Sequence, residues 1–296
     1  MNTLQKIIQN ISDLRIILTF SCVIVNFLPV TLIIDYLAIF GVLSLGILHG
    51  ANDLQLLKSI QFMQTKAQRL LIYTTLVFVF SLILYQFPLF ALTFFVLFSC
   101  YHFGEQQWHK PLQNKLPSAY LFYFFYGAFL FSVLFWSHAQ QSQSIIAQLS
   151  SVEIPTFLFR YLSFGTLFFL LLFILVHFSS FKALLIDVFL QTFLLVVMFW
   201  TTNLVVSFSM YFVVWHSWPS LNDQVKTLYQ SSNPLLLYLK DAWVFWLISL
   251  IGLVAFYIFN DTFGLNPLSL FFAFLSAITF PHVLVIFGLN QKSKPS

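Results

Sequence analysis

The stretch that decides the fold is Phe87–Trp108, FPLFALTFFVLFSCYHFGEQQW. Its first fourteen residues, Phe87–Cys100, carry no charge, and His102, Gly104 and Glu105 then follow within a few positions. An uncharged run of this length reads as part of a membrane-spanning helix, which needs about 20 apolar residues. Ionisable groups at its end are costly in a bilayer and point to function. Similar groups recur elsewhere in the chain, at what the sequence suggests is the same depth.

Composition supports a membrane setting throughout. Of 296 residues, 60% are hydrophobic and 7% are charged, and the mean hydropathy is +0.90. A soluble domain carries roughly 25% charged residues. The reading is an all-α, polytopic transmembrane helix bundle forming a single domain over 1–296. Ten spans are expected, with eight or nine as alternatives: Ile16–Ile34, Leu37–Leu57, Leu70–Gln86, Phe87–Glu105, Ala119–Ser137, Phe157–Phe178, Ala183–Thr202, Val205–Trp218, Ala242–Phe259 and Leu268–Leu289. The polar N-terminal stretch MNTLQKIIQNISDLR lacks the apolar core and small-residue cleavage site of a secretory signal and is expected to be retained.

The distribution of positive charge orients this arrangement. With ten spans and both termini cytoplasmic, every Lys and Arg except Arg160 falls on the inner side, and the outer loops Ser137–Thr156 and Asn260–Pro267 are otherwise free of both. This agrees with the positive-inside rule. A net charge of +4 confined to loops gives no footprint for nucleic acid. Cys22 and Cys100 supply neither a disulfide framework nor a CxxC metal site. The 40 phenylalanines are read either as lipid-facing bulk or as the lining of a cavity for a long apolar ligand.

Four of the seven histidines share a position. His49, His102, His216 and His282 fall in spans two, four, eight and ten, which all run from outside to inside. Each is followed within eight to ten residues by a Lys: Lys58, Lys110, Lys226 and Lys292. At the helical rise their rings lie roughly 12–15 Å before an inner-surface charge. Four imidazoles at one depth are read as a metal site, with Fe, Zn, Cu and Ni all suited to the donor. No thiolate accompanies them. Asp53 and Glu105, close behind His49 and His102, are placed to accept a histidine ring N–H and fix its tautomer; the alternative is that they mark helix ends. Gly46, Gly50 and Gly104 permit close helix approach. Pro281 and Pro219 are expected to kink or break their helices. His109, His138 and His177 read as polar residues at span ends.

The segments GILHGANDL (46–54), CYHFGEQQW (100–108), VWHSWPS (214–220) and FPHVLV (280–285) together resemble the Brp/Blh family of bacteriorhodopsin-related membrane proteins. The resemblance implies a β-carotene 15,15′-dioxygenase that uses O2 and non-haem Fe(II) to give two retinal molecules. It implies a multi-pass protein of the bacterial inner membrane, with a functional link to a microbial rhodopsin. His49, His102 and His216 match histidines that the family uses for iron. Some members carry another histidine four residues after the third, where this chain has Ser220. Either His282 completes the set, as its depth favours, or water does. From the residues alone, a carrier for a metal ion, carotenoid or retinoid is the rival reading.

Overall fold

In the computed structural model the backbone is described for residues 3–28, 31–59, 61, 63–113, 116–259 and 264–292, and side chains for these residues from 14 onward except 31 and 289–292. Lys115 and Lys294, and half of the Asn260–Pro267 loop, lie outside the described residues, as do the side chains of Lys6 and Lys292. The described chain is helical, with no strand among these residues. In order it forms α1 (Thr3–Val25), α2 (Thr31–Gly41), a π-helix π1 (Val42–Gly46), α3 (Asp53–Ser59), α4 (Lys66–Gln86), α5 (Pro88–Leu112), α6 (Ala119–Ser137), α7 (Ala139–Ser150), α8 (Phe157–Val176) and α9 (Phe178–Phe181). There follow α10 (Leu185–Thr201), α11 (Leu204–Ser209), a second π-helix π2 (Met210–Ser217), α12 (Trp218–Leu228), α13 (Pro234–Ile258) and α14 (Pro267–Lys292).

Six helices among the described residues are long and apolar enough to cross a membrane: α4, α5, α6, α8, α13 and α14 up to Gly288. Three shorter apolar helices, Leu14–Val25, Leu32–Gly46 and Leu185–Thr201, accompany them. The break between α4 and α5 falls at Phe87, as the Tyr85–Pro88 sequence predicts. Its cause is Pro88, which disfavours helical backbone at the residue before it.

Several expected boundaries are corrected. Ile16–Ile34 is not one helix. α1 closes in turns in which Phe27 N–H reaches Ile24 O and Leu28 N–H reaches Val25 O, while Asn26 Nδ2 donates to Thr201 O at 2.5 Å. Leu37–Leu57 is interrupted by π1 and by a turn at His49–Asn52. The segment Ser137–Thr156, expected to be a loop, contains the polar helix α7. Pro219 does not end a helix: it lies in the first turn of α12, where its missing N–H is tolerated. The chain widens into π2 just before it, with Ser217 Oγ bonding back to Phe212 O and Trp218 N–H to Val213 O. α14 likewise runs as one helix through Pro281.

The chain divides into two compact units. The first comprises 1–45, 100–142 and 155–219. Its centre is α6, hydrophobic all round and buried through Phe122, Tyr126, Leu130 and Leu134; such a helix belongs in the interior of a bundle. The segment of α5 in this unit crosses α6 at two glycines. A Cβ on Gly104 would overlap the carbonyl of Tyr123, and one on Gly127 would overlap the carbonyl of Cys100. The two backbones therefore touch, antiparallel, one turn apart. Gln107 Nε2 donates to Tyr126 Oη (2.9 Å) and to Gln191 Oε1 (2.8 Å), joining α5, α6 and α10 through a buried polar link.

The second unit comprises 46–99, 143–154 and 220–296. Here α14 packs on α3, α4 and α13. Phe280 stacks on Phe80 with centroids 4.3 Å apart and meets Phe98 edge-on at 5.6 Å. Leu54, Leu56 and Leu57 of α3 pack with Val285 and Ile286. Leu221, Val225, Tyr238 and Ala242 form a neighbouring core.

In both units many phenylalanines face outward, among them Phe78, Phe90, Phe168 and Phe189. Such outward rings suit a lipid-facing surface, one of the two readings that the composition allows.

Candidate metal centre

Both π-helices lie at histidines. Such segments break the regular helical ladder, and they recur at functional sites. π1 ends three residues before His49, and π2 contains His216. All four depth-matched histidines are buried, at 1–3% exposure, although an imidazole in an apolar interior is costly without partners.

In the second unit, His49 and His282 face each other edge-on with ring centroids 4.7 Å apart. His282 Nδ1 is 2.7 Å from Asp53 Oδ1, and Tyr73 Oη donates to Asp53 Oδ2 at 2.8 Å. His49 Nδ1 bonds the carbonyl of Gly46. A carbonyl oxygen only accepts, so Nδ1 of His49 carries the proton and the lone pair sits on Nε2. The Asp53 carboxylate imposes the same tautomer on His282. Two buried histidines thus have their Nδ1 atoms committed to oxygen, the arrangement by which proteins fix metal-binding imidazoles. A continuous helix would put Asp53 on the same face as His49, four residues earlier. The turn at 49–52 separates them, and Asp53 instead serves a histidine on α14. Gly50 lies against that ring: a Cβ there would meet His282 Cγ and Nδ1 at 3.7 Å, an ordinary van der Waals contact.

In the first unit, His102 on α5 and His216 in π2 meet with centroids 4.6 Å apart at 74°. Phe103 stacks flat on His216, 4.0 Å away and within 9° of parallel. The preceding residue is held from α1. Trp215 Nε1 donates to Thr19 Oγ1 at 2.8 Å, Thr19 Oγ1 donates to Arg15 O at 2.8 Å, and the Arg15 guanidinium lies 4.9 Å from the centre of the Trp215 ring. Glu105 Oε1 accepts from Tyr101 Oη at 3.0 Å.

The other histidines sit at helix ends. His138 closes α6, with Nε2 2.9 Å from Thr202 O, and His177 closes α8 with its ring 4.6 Å from Phe173. His109 lies near the end of α5, with its ring 6.3 Å from that of Tyr123. Ser220 is buried and accepts from Gln224 Nε2 at 3.2 Å. Tyr73, Phe103, Thr19 and the Gly46 carbonyl were not anticipated. A phenol, a phenyl ring, a hydroxyl and a carbonyl carry no motif, and they reach Asp53, His216, Trp215 and His49 respectively only through folding.

A family model described as beta-carotene 15,15′-dioxygenase matches residues 40–290. The chain belongs to that family. The match includes all four histidines with Asp53 and Glu105, and leaves α1 outside. No curated protein and no solved structure gives a significant match to the chain. Family membership makes this a β-carotene dioxygenase, an enzyme acting on a carotene and O2. Its apolar helices suit the lipid phase in which such a substrate dissolves.

Proposed function

We propose that the chain cleaves the central 15,15′ double bond of β-carotene to give two retinal molecules, using one non-haem Fe(II) held by His49, His102, His216 and His282. The observation that carries the iron is the fixed tautomer of two buried histidines. The Gly46 carbonyl and the Asp53 carboxylate hold the Nδ1 protons of His49 and His282, which directs each Nε2 lone pair to a cation. An all-imidazole donor set suits Fe(II), and no thiolate is needed. When bound, the iron supplies the O2 chemistry that adds oxygen across the double bond and splits it.

The chain's own residues hold and exclude. Burial of the four rings keeps water from the donors. Phe103, flat against His216, fixes that ring without a polar group. Tyr211 and Phe212 lie against Phe103, 5.2 and 6.0 Å away, and add aromatic bulk suited to a polyene. No side-chain acid or base is required for this cleavage, so Glu105 is assigned an orienting role.

The reading includes ten crossings. The three shorter apolar helices and Leu204–Ser217 join the six long ones, in one integral domain with both termini cytoplasmic. It places the protein in a bacterial inner membrane and makes its retinal available to a microbial rhodopsin.

Purified protein supplied with β-carotene, Fe(II) and O2 is expected to yield retinal as the sole cleavage product by chromatography. Apocarotenals of other lengths would sink the central-cleavage reading. Chelation should abolish turnover, and added Fe(II) should restore it.

A further inference from the structure

We propose that Tyr238, with Asn52, is the positioning device for His49. The proposal rests on the iron reading above for its chemistry, but its geometry stands by itself within the second unit.

His49 is not on a regular helix. Between π1 and α3 the chain tightens into a turn in which Gly50 N–H bonds Ile47 O (3.2 Å) and Ala51 N–H bonds Leu48 O (3.1 Å). In an uninterrupted helix the His49 carbonyl would accept from Asp53 N–H. That N–H is turned to Gly50 O instead, at 3.4 Å. A buried carbonyl that loses its helical partner must find another.

The partner comes from α13. Tyr238, fully buried, brings its hydroxyl to 3.2 Å from His49 O, 3.1 Å from Leu48 O and 3.0 Å from Gln224 Oε1. The contact is reciprocal, since Asn52 Nδ2 donates to the Tyr238 carbonyl at 3.1 Å. One end of the turn is thus held by the Tyr238 phenol, and the other by the turn's own Asn52 amide on the Tyr238 carbonyl, so both ends are tied to one residue of α13. The His49 ring is fixed at Nδ1 by Gly46 and its backbone by Tyr238. Together these set where the Nε2 lone pair points. Without the clamp the turn could relax toward continuous helix, and the ring would rotate with it.

The test uses the full-length protein in detergent. Tyr238→Phe removes one oxygen and leaves the core volume nearly unchanged; Asn52→Ala is the second variant, should the first fail to fold. Peptide-resolved hydrogen exchange of metal-free protein is expected to show about tenfold faster exchange over residues 49–53 in either variant. Tyr229→Phe, which removes the neighbouring bond from Tyr229 Oη to Asp241 Oδ2 (2.6 Å), should leave that segment unchanged. Fe(II) titration should show roughly tenfold weaker binding in Tyr238→Phe.

Unchanged exchange over 49–53 in both variants overturns the proposal. Equal acceleration in Tyr229→Phe also overturns it, because that is general loosening. Faster exchange with wild-type iron affinity overturns the positioning role and leaves Tyr238 only a part in the fold. A wild-type chain that takes up no iron removes the metal reading of the proposed function, and the exchange data then still decide whether Tyr238 holds the turn.

Discussion

Asp53 Oδ1 and His282 Nδ1 are 2.7 Å apart although 229 residues separate them in the chain. The contact joins the start of α3 to the middle of α14 and leaves both groups 2% exposed. A carboxylate beside Nδ1 fixes the tautomer and leaves Nε2 as the ring's lone-pair donor. Asp53→Asn preserves shape but removes the charge, and its amide has two faces to offer. Iron affinity is expected to fall about 10–100-fold, measured by Fe(II) titration with elemental analysis of the washed protein. Tyr73→Phe removes one donor from the same carboxylate and should give a smaller loss in the same direction.

The α1 contact to Trp215 predicts a stability effect. Thr19 is fully buried, and its hydroxyl is the acceptor for the indole N–H. Thr19→Val keeps the shape and leaves that donor buried without its acceptor, at a cost of about 1–3 kcal/mol. Thermal unfolding in detergent should show the fall. Thr19→Ser retains the hydroxyl and should recover most of it.

Two glycines in the first unit should respond in opposite directions. Gly104→Ala drives a methyl group into the Tyr123 carbonyl, which is backbone and cannot swing aside. Separating α5 from α6 is expected to cost about 1–3 kcal/mol or more and to shift the α5 segment that carries His102. Gly165, on α8, has open space where a Cβ would go. Gly165→Ala should be neutral, or stabilising by up to about 1 kcal/mol through helix propensity. Paired melting curves check both. A lower midpoint for Gly165→Ala, or none for Gly104→Ala, would count against the packing described.

Composition and charge carried much of the fold. Long uncharged runs are sufficient to mark α4, α5, α6, α8 and α14, and Ala119–Ser137 agrees at both ends. What escaped were the irregular segments. π1, π2 and the turn at 49–52 depend on where backbone hydrogen bonds go once tertiary partners exist. Tyr238 offers its hydroxyl to the His49 carbonyl only because α13 packs there. α13 also begins at Pro234, eight residues before the expected Ala242, because Lys240 and Asp241 break the apolar run without breaking the helix. Depth singled out the four histidines and spacing flagged Asp53. Only the folded chain shows that Asp53 turns to His282.

The fourth ligand of the proposed iron site gives the last prediction. Ser220 occupies the position where some relatives carry a histidine, and its hydroxyl already accepts from Gln224. A serine hydroxyl is a poor ligand for Fe(II), whereas His282 is buried, is expected from the sequence at the depth of the other three and has Nδ1 on a carboxylate. His282→Ala should therefore abolish stable iron binding and retinal formation together. His177→Gln, at the end of α8, should retain both. Elemental analysis alongside product chromatography separates the cases. Full iron and full activity in His282→Ala would leave three histidines and water as the ligand set, and would reduce the Asp53–His282 pair to a structural contact.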